Sequence, residues 1–266
     1  MIIFLCEPSY EGILSGIYDA GISKIPKNEL RLELSNENRN LELFAHYREC
    51  ESSEGKAAKV RKTIQEKLSA KVQYQVYLAS LSQDPMRADK LYRYLKVLFT
   101  LGADAVERLQ IPEINAVFEL CRNVSNEQHQ MIEFLRFSQM ADGSLVSKIA
   151  PKNDVLELIS PHFVDRIPEE NWLILDKGRR KASVHQKGRA FFLMDVPETL
   201  ADKLNQKAQD EDFPAMHCLK TAEKDSYEAL WKIFFETVAI RERANPSCQQ
   251  NHLPLRFRPY MTEFQA

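Results

Sequence analysis

The sequence predicts an α+β protein: a largely helical N-terminal half, then an antiparallel β-meander packed with a long amphipathic C-terminal helix. Three patterns carry that expectation. Apolar residues recur only at helical spacing from Ser53 to about Gln139, alternate with period two after Met140, and form a stripe at i, i+3, i+4, i+7, i+8 and i+11 from Tyr227 to Val238. No internal repeat or Ser/Gly linker interrupts the chain. Residues 1–266 therefore read as one compact unit with a soft division near Met140.

Ile2 to Cys6 is a short apolar run closed by Pro8, the pattern of a first strand. Ser9 can cap a helix reaching about Ala20, with Ile13, Leu14, Ile17 and Tyr18 on one face. Leu41, Leu43 and Ala45 alternate with Glu42, Phe44 and His46, which predicts an extended segment able to pair with the first strand. Ala57, Val60, Ile64 and Leu68 mark a helix with a mostly basic outer side; Val76, Leu78 and Leu81 mark a second. Asp84-Pro85 breaks the chain, and Ala88, Leu91, Leu95 and Leu98 form the stripe of a third helix that Gly102 ends. Pro112 opens a fourth through Cys121, and Ser125 with Gln128 forms a capping box for a fifth, from Asn126 to Gln139.

Strands are expected at Ser144 to Ile149, Trp172 to Asp176, Lys181 to Gln186 and Ala190 to Val196, punctuated by Asp142-Gly143, Lys177-Gly178 and Lys187-Gly188. The last three form the meander. Asp154 to Ile159 and Glu198 to Gln209 read as short helices, and Pro161 to Trp172 as a loop dense in His162, Asp165, Arg166, Glu169 and Glu170. The closing helix, with Tyr227, Leu230, Trp231, Phe234, Phe235 and Val238, stops before Asn245-Pro246. Ser247 to Ala266 should then wrap over the surface.

With 44% hydrophobic and 28% charged residues among 266, 8 Gly and 12 Pro, the composition excludes collagen-like, disordered and disulfide-scaffold chains. The mean hydropathy is -0.40, and no apolar run approaches the roughly 18 to 20 residues of a membrane helix. MIIFLCEPSY lacks the basic region of a signal peptide, so a cytoplasmic protein without a membrane partner is expected. Five cysteines, widely spaced and without CxxC, fit reduced thiols. The pairs His46/Cys50, Cys248/His252 and His217/Cys218 lack further ligands at metal-site spacing, and no metal is expected. GxGxxG, GxxxxGK[ST] and GxSxG are all absent, and no cofactor is expected.

The net charge of -2 conceals three basic runs. Lys56, Lys59, Arg61, Lys62, Lys67 and Lys71 surround only Glu66; Lys177, Arg179, Arg180, Lys181, Lys187 and Arg189 surround no acid; Arg241, Arg243, Arg256 and Arg258 lie near the C-terminus. A single run also fits a solvated face. As phosphate ligands the candidates are Arg136, Arg166, Arg179, Arg180, Lys181, Arg241, Arg243, Arg256 and Arg258. The alternative is a DNA-processing enzyme, nuclease or glycosylase-like, with His129, His162, Asp165 and Glu170 as acid/base candidates, His129 being oriented by Glu133 at i+4. A protein-binding adaptor without DNA contact is the third reading.

The segments IFLCEPSYEGILSGIYDA, KVRKTIQEKLS, LSQDP with LYRYL, VSNEQHQMIEFLRF, PHFVDRIPEENWLILD, ALWKIFFETVAIRERANP and LPLRFRPY resemble, in the same order, a bacterial family described as DNA metabolism or DNA repair proteins. Members occur alone, commonly with a radical SAM protein thought to act on DNA, or fused to a uracil-DNA glycosylase-like domain. The likeness here is to the stand-alone form. It implies DNA of undefined strandedness and a radical SAM protein as partners, with the radical chemistry in the partner. The matching positions are His129, Arg136, Phe137, His162, Phe163, Arg166, Trp172, Arg241, Arg243, Asn245 and Pro246; the resemblance assigns none of them a catalytic role.

Overall fold

The computed structural model describes residues 1–26, 29–35, 42–197, 230–234, 237 and 245–264. The chain divides into two compact units: Met1–Glu127 with Lys152–Asp154, and Gln128–Pro151 with Val155–Ala266. The α+β class is observed, with helices and two sheets among the described residues.

In the first unit the apolar run Ile2–Cys6 (β1) is the buried central strand of a parallel sheet of order β2-β1-β3, with β2 at Leu30–Leu34 and β3 at His46–Glu49. The partner strand thus lies later than the expected Leu41 to Ala45. Leu43 and Phe44 instead occupy a turn, where Phe44 has φ 64° and is 93% exposed. β2 adds a strand to those expected. Ser9 caps α1 (Tyr10–Ile22), its side chain accepting from Gly12 N at 3.0 Å. The next helices follow the expected stripes: α2 (Glu54–Lys67), α3 (Ala70–Ser80) and α4 (Arg87–Leu101), which ends at Gly102 with φ 88°.

One helix, α5 (Pro112–Phe134), replaces the two expected. The capping box at Ser125 and Gln128 would satisfy N–H groups orphaned at a helix start. Here the buried stripe Ile114, Val117, Leu120, Val124 and Met131 passes through Ser125 without a break, so the backbone itself supplies those acceptors. The unit boundary falls within α5.

The second unit holds a five-stranded sheet of order β4-β5-β6-β7-β8: Ser138–Gln139, Leu145–Ile149, Trp172–Asp176, Lys181–His185 and Phe192–Asp195. The meander β6-β7-β8 is antiparallel as expected, whereas β5 and β6 pair in parallel through the crossover helix α6 (Leu156–Arg166). That helix absorbs the first half of the expected loop, Pro161 to Arg166. Pro161 lies inside it, and burial of Leu156, Ile159 and Phe163 at helical spacing, about 1.5 to 3 kcal/mol each, exceeds the roughly 3 kcal/mol a helical proline costs.

Of the expected closing helix, Leu230 to Phe234 and Thr237 are helical, and the rest lies outside the described residues, as does Glu198 to Gln209. The C-terminal segment is more regular than expected, with α7 (Pro246–His252) and 3-10 turns at Leu255–Tyr260 and Thr262–Phe264 burying Phe257 and Met261.

Candidate nucleic-acid interface

The second basic run spans the β6–β7 hairpin, with Lys187 and Arg189 in the following β7–β8 connection. Asp176, at the end of β6 and 0% exposed, organises its turn by accepting from Gly178 N at 2.9 Å, Arg179 N at 3.2 Å and Arg179 Nη1 at 3.1 Å. Burial pushes the Asp176 carboxyl above its usual range, against the opposing pull of Arg179 and the two backbone N–H groups. Arg180, not Gly178, takes the left-handed conformation, with φ 54°. Its carbonyl accepts from Val196 N at 2.7 Å, which ties β8 to the turn.

Arg179 is accordingly a structural residue, held by Asp176 and by Pro151 O at 3.2 Å. Lys177 and Arg180 are exposed and Lys181 is partly so, opposite Asp195 in the β7–β8 register. Lys148 on β5 adds a cation that the sequence reading did not single out. Burial, and then the charge of Lys177, push its ammonium below the usual lysine range. Its signal was present in LVSKI, a lysine flanked by Ser147 and Ile149 in a short, mostly apolar strand.

Arg136, Arg256 and Arg258 have intramolecular partners. Arg136 closes the C-terminal end of α5 by donating to Glu133 O at 2.9 Å and Leu135 O at 3.2 Å, and pairs with Glu263 at 3.0 Å. The Glu263 side chain, 3% exposed, also accepts from Trp231 Nε1 at 3.2 Å, with the Arg136 guanidinium over the Trp231 ring. Arg256 donates to Gln130 and covers Phe257; Arg258 donates to Gln249 and covers Phe264. Arg166 lies exposed at the end of α6. Arg241 and Arg243 fall outside the described residues. In the first basic run Lys56, Arg61, Lys62 and Lys71 pair with Asp19, Glu54, Glu66 and Glu107, which largely neutralises it.

The acid/base candidates are not joined. His129 is exposed on α5 and pairs with Glu133 at 3.3 Å, while His162 and Asp165 are exposed on α6. Glu170 is exposed beyond that helix and contributes its backbone carbonyl, which accepts from His185 Nδ1 at 2.9 Å. Among the described residues no hydrogen bond or ion pair connects His129, His162, Asp165 and Glu170 to one another. His185, missed in the sequence, stacks on Trp172 with ring centroids 5.0 Å apart, the two being directly opposed in the β6–β7 register.

His46 is exposed on a strand and Cys50 is buried beyond its end, a separation of about 13 Å at strand rise, too far to share a metal. Cys248 and His252 share α7, and His217 and Cys218 lie outside the described residues. No group of three or more His, Cys, Asp or Glu able to hold a metal occurs among the described residues. Nor is any described helix long and apolar enough to cross a membrane.

Fold and site together define an α+β protein of two units, the second bearing a cationic sheet end. The chain belongs to the family described as a domain of unknown function, DUF4130, whose model matches residues 85–263. No curated protein matches the chain.

Proposed function

We propose that the protein binds DNA in DNA metabolism, holding it for nucleobase modification or repair while a radical SAM protein supplies the chemistry. The carrying observation is the cationic end of β5, β6 and β7. There Lys177 and Arg180 are exposed in the β6–β7 turn beside the structural Arg179, Lys181 opens β7, and Lys148 on β5 is disfavoured as a cation by burial and by Lys177. A phosphodiester placed there relieves that repulsion and exchanges its counterions for fixed ammonium and guanidinium groups. The partner is implied by the resemblance of PHFVDRIPEENWLILD and the other segments.

The test is binding of single-stranded, duplex and uracil-containing oligonucleotides across a salt series, for the wild type and a Lys177→Ala/Arg180→Ala/Lys181→Ala variant. The expected result is a loss of about 0.7 to 0.9 log units of affinity per log unit of salt for each phosphate neutralised, with a shallower slope for the variant. No binding at low salt, or identical slopes, would overturn the proposal.

A further inference from the structure

The register of β1 and β3 brings two thiols together. Their parallel pairing runs from Ile2↔His46 to Leu5↔Glu49, and Cys50 N donates to Leu5 O at 2.8 Å, so the ladder continues one position and sets Cys6 opposite Cys50. Neighbouring strands lie about 4.7 to 4.9 Å apart, within the roughly 4.4 to 6.8 Å between Cα atoms that a disulfide spans. Both thiols are free and buried, Cys6 completely and Cys50 with 8% exposed. The Cys6 thiol hydrogen-bonds the Cys50 sulfur, with Phe4 O at 3.9 Å as a weaker alternative acceptor.

The surroundings hold the pair in place and distinguish its members. α1 packs on Cys6 at Gly16, where an added Cβ would meet Cys6 Sγ. The chain leaving Cys50 is fixed to α1 by Ser15 Oγ, which accepts from Ser53 N at 3.0 Å. Beside Cys50 stand Asp19 and Lys56, paired with each other at 2.8 Å. The hydrogen bond from Cys6 holds the Cys50 thiol below its usual range, against burial and the Asp19 carboxylate and with the help of the Lys56 ammonium. That same bond, and then burial, push the Cys6 thiol up. Cys50 therefore has the greater thiolate character and the greater exposure, the two properties that make a cysteine open to oxidation, and Cys6 stands beside it as a resolving thiol. A sulfur so little exposed admits a small oxidant and disfavours a bulky one.

We infer that Cys6 and Cys50 form a peroxide-reactive dithiol that closes to a disulfide within the first unit. The Cys50 thiolate attacks one oxygen of hydrogen peroxide, the O–O bond breaks, and the departing hydroxide takes up the proton that Cys50 has shed, leaving Cys50 sulfenic acid and water. The Cys6 sulfur then attacks Cys50 Sγ; the S–O bond breaks, and hydroxide leaves as water with the Cys6 proton. Two thiols and one peroxide become one disulfide and two waters, the sulfurs being oxidised and the peroxide oxygens reduced. The site uses no residue of the cationic sheet end and is independent of the DNA-binding reading.

The test treats the reduced full chain with hydrogen peroxide, quenches it in denaturant with N-ethylmaleimide, and maps the thiols by mass spectrometry. The expected product has the Cys6 and Cys50 peptides joined by a disulfide that dithiothreitol reverses, while Cys121 is still alkylated at the quench. Oxidation confined to Cys248, or cross-links that form only in urea and scatter over Cys121 and Cys248, would overturn the proposal, and both outcomes are read on the wild type without any variant. Cys6→Ser should stop the reaction at Cys50 sulfenic acid, trapped when dimedone replaces N-ethylmaleimide, and Cys50→Ser should leave Cys6 a free thiol. In variants with wild-type circular dichroism, a Cys50 that stays reduced in Cys6→Ser, or a sulfenic acid at Cys6 in Cys50→Ser, overturns the assignment of Cys50 as nucleophile.

Discussion

Replacing Glu127 by Ala removes the clamp that returns Lys152–Asp154 to the first unit. Glu127 is 3% exposed, and its carboxylate accepts from Lys152 N at 3.0 Å and from Asn153 N and Nδ2, both at 2.7 Å. Asn153 Oδ1 also accepts from Gln83 N at 2.9 Å, and Asp154 N donates to Leu81 O at 2.9 Å. Hydrogen bonds to a charged acceptor contribute about 1.5 to 3 kcal/mol each. Lys152 is exposed and regains water when released, whereas both Asn153 donors belong to a residue 5% exposed. Two bonds lost near the lower figure give a cost of about 3 kcal/mol. Glu127→Gln should fall between wild type and Glu127→Ala, because one carboxamide oxygen remains while its NH2 faces donors. Urea unfolding followed by circular dichroism and by tryptophan fluorescence reads the difference. A loss under about 1 kcal/mol for Glu127→Ala would refute the claim that this carboxylate holds the segment.

Three other outcomes are expected. Burial opposes ionisation of Asp84, but the Lys90 ammonium, Met86 N–H and Arg87 outweigh it and hold the carboxyl below its usual range, so its stabilisation is full above about pH 4 and lost as pH falls through the folded-state value. Asp84→Asn should flatten that part of an acid-unfolding profile, and an unchanged profile would contradict the assignment. Burial pushes the Cys121 thiol up to about 12, so at pH 8 it should alkylate about a thousandfold or more slowly than an ordinary thiol; mass spectrometry should find the exposed Cys248 modified first. Gly16→Ala would drive a Cβ into Cys6 Sγ, costing about 1 to 3 kcal/mol by overpacking, and Cys6→Ala in the same chain should recover most of it in thermal denaturation.

Local signals carried much of the fold. Ser9, Gly102 and Pro112 act at helix ends as their chemistry requires, and Trp172 to Asp176 is a strand at its expected bounds because its apolar run is buried between two neighbours. Tertiary burial overrides the local signal at Ser125, inside α5, and at Pro161, inside α6. The alternation of Leu30, Leu32 and Leu34 would have revealed β2, but the acidic residues around it masked it. Parallel pairing of β5 and β6 has no local signature. The basic hairpin was legible as charge, but the fate of each charge was not. Arg136 and Glu263 are 127 positions apart, so an arginine that seals a helix end looks in sequence like one available to phosphate.

The central claim is that DNA lies on the cationic end of the second unit's sheet. Lysine acetylation of the full chain with and without single-stranded thymidine DNA, read by mass spectrometry, tests it directly. Lys148, Lys177 and Lys181 should be protected, and Lys62, whose side chain is 75% exposed beside Glu66 in the first unit, should not. Equal modification of Lys177 and Lys181 with and without DNA, or protection confined to the first unit, would contradict the account.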